Sequence, residues 1–446
     1  MSKLNKDILF LLFEELQNDS RSLFSCLLVD RLWCETAIPI LWRDPWCYED
    51  NINYQKKSSL YHIVTSYLPN DIKEFLTSQG IQLCPISYQS PLFNYLSFCR
   101  SINMNVIKSI ISIGSSSTYN QFLLQQEIYS LFMRKFSEIK YLDMRSIDHQ
   151  IFYFSKANSR LESLCELKCD LSISPVYFFG LALVCKCIQR FIIINTISPN
   201  INVHDGIVKL IQVQKNLRYF KWKDDFSDFD FDDFDFDDIY EKIFLALEEK
   251  ADTLNHLVIN FQYHLDYYPY IPIPPIPINL SKFHKLKTLK INAPDYEFDD
   301  QLNKSVYQNL EVFQTDNYIE YFTIHTIIKN SGGNFRKILI KGDYYLDTWE
   351  DDEDYLNFSR TIYENCPLIE YLPLVFSSTN FSEFDKLLKT CRKLKVLSIY
   401  MIHMDEENEF KSNEEKLLGY GEKLSKALIE FAPKNLRIIK FSKYDF

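Results

Sequence analysis

Residues 286–291 read LKTLKI, residues 310–315 read LEVFQT and residues 335–340 read FRKILI. In each, apolar or small residues hold the first, fourth and sixth places, and the last three places alternate like a strand with one buried face. The starts lie 24 and 25 residues apart. Working outward, the same triplet recurs as Ile139-Leu142-Met144, Leu164-Leu167-Cys169, Ile188-Phe191-Ile193, Leu217-Phe220-Trp222 and Leu254-Leu257-Ile259. Beyond residue 340 it returns as Ile369-Leu372-Leu374, Leu394-Leu397-Ile399 and Leu436-Ile439-Phe441. A recurring strand with a return segment between copies predicts parallel strands stacked in chain order.

The L-x-x-L-x-L order and its spacing resemble leucine-rich repeats. The resemblance implies an α/β solenoid over residues 136–446, with parallel strands on a concave side and helices outside. The repeats are degenerate, because the asparagine or cysteine expected after the strand is mostly missing. Two inserts account for the long gaps: the acidic and aromatic run 224–238 (DDFSDFDFDDFDFDD) and the proline-rich run 263–278.

Composition bounds the chemistry. The 446 residues are 46% apolar and 24% charged, as in a folded chain with several domains or a repeat array. Only nine glycines are present, and Gly419-Tyr-Gly421 lacks the third glycine and preceding strand of a phosphate-binding loop. The net charge is −11, nine of it from the aspartates of 224–238, leaving −2 elsewhere and no basic footprint for nucleic acid. Eleven cysteines without framework spacing predict reduced thiols. Neither Cys165/Cys169 nor Cys185/Cys187 has the spacing of a zinc site, so no metal or cofactor is expected. The eight histidines are scattered, and no catalytic constellation emerges. The apolar run Ile8 to Phe13 is too short for a signal peptide and is closed by Glu14 and Glu15. No stretch is long enough for a membrane helix, so cytosol or nucleus is the expected compartment.

At the other end of the chain, residues 1–45 form a separate pattern. Ile8, Leu9, Leu12, Phe13 and Leu16 share a helical face; Leu23, Phe24, Leu27 and Leu28 form a second stripe; Leu32, Trp33 and Ala37 a third, ended by Pro39. Such short helices carry more apolar surface than they can bury among themselves, which points either to a partner or to a bundle packed on the rest of the chain. The order of Leu4, Ile8-Leu9, Leu12, Leu16, Leu23, Cys26-Leu-Leu-Val29, Arg31-Leu-Trp33 and Leu41-Trp42-Arg43 resembles the F-box motif. The family opens with Leu-Pro, whereas Asn5 follows Leu4 here. The resemblance implies a module that wedges these residues against a Skp-type adaptor and, through it, a cullin. Cys366-Pro367 and Cys391 resemble the cysteine-containing repeats that commonly follow an F-box. Residues 46–135 read as a helical connector, with helical spacing over 59–68, 71–78, 91–113 and 119–132.

The expected reading is therefore a substrate receptor of a cullin-RING ubiquitin ligase, acting by proximity and itself no enzyme. The repeats capture an unknown protein, with no nucleic-acid or membrane partner. Tyr219, Lys221, Lys223, His256, Lys290, Lys337, Lys341, Tyr371, Tyr400 and Lys440 are expected on the concave side, with Arg145 and Arg190 and opposed by Asp143, Glu166, Asp170 and Asp316. The alternatives are an interaction scaffold without ligase activity and, more distantly, a hydrolase using solenoid-borne carboxylates.

Overall fold

Each triplet becomes one strand. In the computed structural model, which describes residues 5–47, 54–83, 91–196, 204–225, 237–261, 279–292, 302–315, 321–340, 352–376, 381–401 and 413–443, twelve strands run parallel in chain order. Leu4, Lys341, Asp316, insert 263–278 and residues 226–236 lie outside the described residues. The chain divides into two compact units, Met1–Leu217 and Arg218–Phe446. Among the described residues no helix is long and apolar enough to cross a membrane.

The first unit holds β1 (Ser101–Asn103), β2 (Tyr141–Asp143), β3 (Glu166–Cys169) and β4 (Arg190–Asn195). Strand β1 corrects the reading of 91–113 as continuous helix. Cys99, Ile102 and Met104 form an unrecognised triplet, each at most 1% exposed, and Ile102 pairs with Leu142 of β2. The ladder thus starts inside the segment read as connector. Only α6 (Tyr95–Phe98) and α7 (Met104–Ile111) flank it. The other connector helices, α4 (Tyr54–Ser66), α5 (Asn70–Ser78) and α8 (Thr118–Lys135), lie close to the expected spans.

Between strands the chain returns through helices, among them α9 (Ala157–Leu161), α10 (Pro175–Val184) and α11 (His204–Val213). Helices α10 and α11 pack unusually close because of one residue. A Cβ on Gly206 would stand 2.7 Å from the Pro175 carbonyl oxygen and 3.0 Å from Phe178 Cβ. Alanine is the better helix former by about 1 kcal/mol. Overpacking against backbone costs about 1–3 kcal/mol, so the clash should win. Gly206→Ala is expected to lower the thermal midpoint, and a rise would refute this account.

In the second unit β5 (Tyr219–Asp224), β6 (His256–Asn260), β7 (Thr288–Asn292), β8 (Val312–Thr315), β9 (Lys337–Ile340), β10 (Tyr371–Phe376), β11 (Val396–Met401) and β12 (Ile438–Lys443) pair successively. The triplet leucines stack in register: Phe220, Leu257, Leu289, Phe313 and Ile338 lie side by side, each at most 2% exposed. Just before the strands, Lys287, Glu311, Arg336, Glu370 and Lys395 alternate in sign and pair across neighbouring repeats at 2.7–3.4 Å. Strand β12 departs from the pattern, with Ile439 37% and Phe441 60% exposed at core positions of the triplet. Among the described residues β12 has a neighbour on one side only, so half of the usual cover is missing.

Six of the ten described cysteines serve the core. Cys169, Cys185, Cys366 and Cys391 are fully buried, and burial pushes their thiols up, to about 12 for Cys185 and Cys391. A thiol held protonated at neutral pH packs as a small apolar side chain. Among the described residues no group of three or more His, Cys, Asp or Glu could hold a metal.

Candidate functional site

The amino-terminal module is built by three capped helices. Helix α1 (Lys6–Glu15) begins at Asn5, whose Oδ1 accepts from the Asp7 N–H at 3.3 Å. Asp19 caps α2 (Ser20–Cys26) by accepting from Ser22 Oγ–H and Ser22 N–H, and these bonds, the hydroxyl's first, hold its carboxyl below the usual range. Asp30 caps α3 (Arg31–Leu41) by accepting from Trp33 N–H at 2.9 Å. Each cap satisfies an amide left without a helical partner, worth about 1 kcal/mol. Asn5 adopts φ −65°, the value a proline ring would impose.

Pro39 does not end α3 as expected. The helix runs through it to Leu41, and Ile40 and Leu41 are buried in the module. A proline so near the end of a helix disrupts only the last turn, and here apolar burial outweighs that cost.

Leu9, Phe13, Leu23, Cys26, Ala37, Ile40 and Leu41 form a core of their own, with Leu16, Trp33 and Trp42 packed against it. The Trp33 ring meets Phe13 edge-on at 5.3 Å, and Trp42 leans on Tyr95 of α6 at 4.6 Å. The expected docking set therefore divides. Leu9, Leu23, Cys26 and Leu41 are at most 8% exposed and support the surface from beneath; Trp42 faces the connector. Ile8, Leu12 and Val29 stand outward, 48%, 51% and 56% exposed, and Arg31 is exposed beside Glu35. Sequence reasoning passed over Phe10 and Leu11 and placed Phe24 and Leu28 on an apolar stripe without naming either as a site residue; all four are exposed, Leu28 by 87%. The signal was present in the second apolar face of α1, since Ile8, Leu11 and Leu12 are spaced as Leu9 and Phe13 are, one residue out of phase. Of the 24 large apolar side chains exposed among the described residues, seven fall between Ile8 and Val29. That is a dense concentration of exposed apolar side chains for so short a stretch.

The module is fastened rather than flexibly tethered. Arg43 forms a two-pronged ion pair with Glu14, at 2.5 and 2.9 Å, joining the end of α3 to α1. The Arg43 carbonyl accepts from Arg100 N–H, Ser101 Oγ donates to Asp44, and the buried Trp46 donates its indole N–H to the Ser101 carbonyl. Residues 43–46 thereby cover the open edge of β1. The hydrogen bond from Arg43 holds the Glu14 carboxyl below its ordinary value. Its contribution is full above the unfolded carboxylate range and is lost as pH falls through the lowered folded value. Acid unfolding followed by tryptophan fluorescence should therefore show a loss of about 0.5–1 kcal/mol below pH ~4. In Glu14→Gln the difference between neutral and acid pH should shrink, and an unchanged acid limb would discount the pair.

On the sheet face turned away from the helices the two units differ. In the first, Asp143 is gripped by Arg145 at 2.7 Å and Lys168 at 3.3 Å, and Glu166 by Arg190 at 2.8 Å. Arg145 and Arg190 therefore neutralise carboxylates of their own unit. A cleft of about 180 Å³ at Asp44, Trp46, Asp143 and Lys168 belongs to this paired region. Asp170, expected on the face, is instead 4% exposed and accepts from Thr196 Oγ1 and Ser172 N–H.

In the second unit Lys221, Lys223, Lys290, Lys337 and Lys440 all occupy positions of the outward register. Lys223 pairs with Asp225 at 2.6 Å. Tyr219 and His256 are neighbours, with rings 6.0 Å apart; Tyr371 hydroxyl meets Ser398 at 3.3 Å, and Asn292 donates to Asn260. Tyr400 lies half-buried on β11. No described outward position of β5–β12 carries Asp or Glu. The face is basic and aromatic, interleaved with Val258, Val312 and Leu339.

No family model matches the sequence, and comparison with curated proteins returns no match.

Proposed function

We propose that this chain is a substrate receptor of a Skp–cullin–F-box-type ubiquitin ligase. The observation that carries the reading is the outward apolar set Ile8, Leu11, Leu12, Phe24, Leu28 and Val29, on a module whose core is complete without them. A monomeric surface rarely concentrates so many large apolar side chains unless a partner covers them. The order of residues, which resembles an F-box, supplies the identity of that partner, a Skp-type adaptor bridging to a cullin. The F-box assignment of residues 1–45 and the leucine-rich-repeat assignment of the ladder belong to this proposal.

In this reading the repeats hold a target protein while the docked assembly brings a ubiquitin donor near it. The chain contributes no bond-making group. Proximity alone raises the effective concentration of a target lysine at the donor. The cytosol or nucleus is the matching compartment.

Co-purification tests the proposal. The full chain, expressed with a Skp-type adaptor, should bring it down in a stoichiometric complex. A chain that folds but leaves the adaptor in the flow-through is a scaffold instead, and turnover of a substrate by the isolated chain would replace both readings with an enzyme.

A further inference from the structure

The basic face of the second unit has a definite spacing. Lys221 on β5 and Lys290 on β7 share one register row, with Val258 of β6 between them. Two strand intervals put their Cα atoms about 10 Å apart. Lys337 on β9 is two strands beyond Lys290 and one register step earlier, about 12 Å away by the same spacings. A polyproline-II segment rises about 3.1 Å per residue with three residues per turn, so side chains three apart fall on one side at about 9 Å. A β-strand, whose same-side residues recur at about 6.7 Å, does not match the Lys221–Lys290 interval.

Resting on the receptor reading above, we propose that this face binds an acidic, extended segment of the target protein, its carboxylates three residues apart and seated on Lys221 and Lys290 with Lys337 beside them. Charge complementarity selects the occupant. Lys290 and Lys337 stand in a register whose described outward positions on β5–β12 hold no Asp or Glu, whereas on the face of the first unit Asp143 and Glu166 lie among the cations. The Tyr219 and His256 rings and the aliphatic side chains of Val258, Val312 and Leu339 provide apolar ground between the charges, suited to a peptide backbone and its prolines. A nucleic acid fits less well. Its phosphates demand a continuous basic track with stacking rings along it, whereas here the lysines are set apart by Val258, Gln314 and Leu339.

The test uses the full chain and a fluorescein-labelled peptide with glutamate at every third position among proline and alanine, read by fluorescence anisotropy. Binding is expected, weakening as ionic strength rises. Lys290→Glu with Lys337→Glu should weaken it at least about tenfold, and Lys290→Gln with Lys337→Gln about threefold, with unchanged thermal midpoints. The reversal Lys329→Glu with Lys434→Glu, at exposed lysines of the same unit that are not on its strands, should leave binding unaltered. The proposal is overturned if the peptide does not bind, if the off-face reversal is equally damaging, if a peptide with lysine in place of glutamate binds as well, or if a single-stranded oligonucleotide is preferred. Adaptor co-purification, insensitive to these lysines, keeps the two readings apart: adaptor capture without peptide binding removes only the acidic-segment proposal, and peptide binding without adaptor capture removes only the ligase.

Discussion

Replacing Leu12 and Leu28 by aspartate is expected to abolish capture of a Skp-type adaptor while leaving the chain folded. Both side chains are already largely in water, 51% and 87% exposed, so the free protein loses little burial. Aspartate within α1 costs a few tenths of a kcal/mol in helix propensity. In a docked complex the same carboxylates would be pressed into an apolar contact without partners. A loss of about 2–4 kcal/mol follows, or roughly thirtyfold to a thousandfold in affinity. The choice of residues matters. Leu9 and Leu23 are fully buried, and Trp33 packs on Phe13, so changes there unfold or loosen the module and would weaken docking for an uninformative reason. Pulldown with purified adaptor, accompanied by circular dichroism, measures both quantities. Wild-type capture by the folded double variant would defeat the proposed interface.

The second large effect concerns the repeats. Trp222 is fully buried on β5, its ring near Phe244 and Phe261 at 6.3 and 6.5 Å, and its indole N–H donates to the buried Asp224 carboxylate at 2.8 Å. Trp222→Ala removes the largest side chain of that layer and the N–H donor together, and should cost about 4–5 kcal/mol. Trp222→Phe keeps a ring but not the donor, and should cost about 2 kcal/mol. Urea unfolding is the measurement. A loss under about 1 kcal/mol for Trp222→Ala would show that the stacked core relaxes around the gap, contrary to the close packing of this register.

Much of this was legible in the residues because repeat folds write their core locally. A strand with alternating burial, recurring at near-constant spacing, needs no long-range information to be recognised, and all eleven triplets became strands. Cys99-Ile102-Met104 escaped because helical residues flank it closely, so a period near 3.6 ran on across a strand of three residues. Pro39 misled for a similar reason, since its effect depends on how much helix remains beyond it and on what that helix buries.

The proposed docking surface was less legible. Apolar residues on α1 and α2 carry the same letters whether they face inward or outward, and only packing against α3 separates Leu9 and Phe13 from Ile8, Leu11 and Leu12. Charge on the sheet face was ambiguous in the same way. Lys221, Lys290 and Lys337 could be placed by strand alternation, but the pairing of Lys168 with Asp143 and of Arg190 with Glu166 needed side chains from different strands in three dimensions. By itself the sequence determined the parallel ladder, the capped helices and the lysine register, all properties of residues near one another along the chain. Tertiary structure alone decided which apolar side chains stay in water and which charges are already neutralised, because both depend on what the fold brings alongside them.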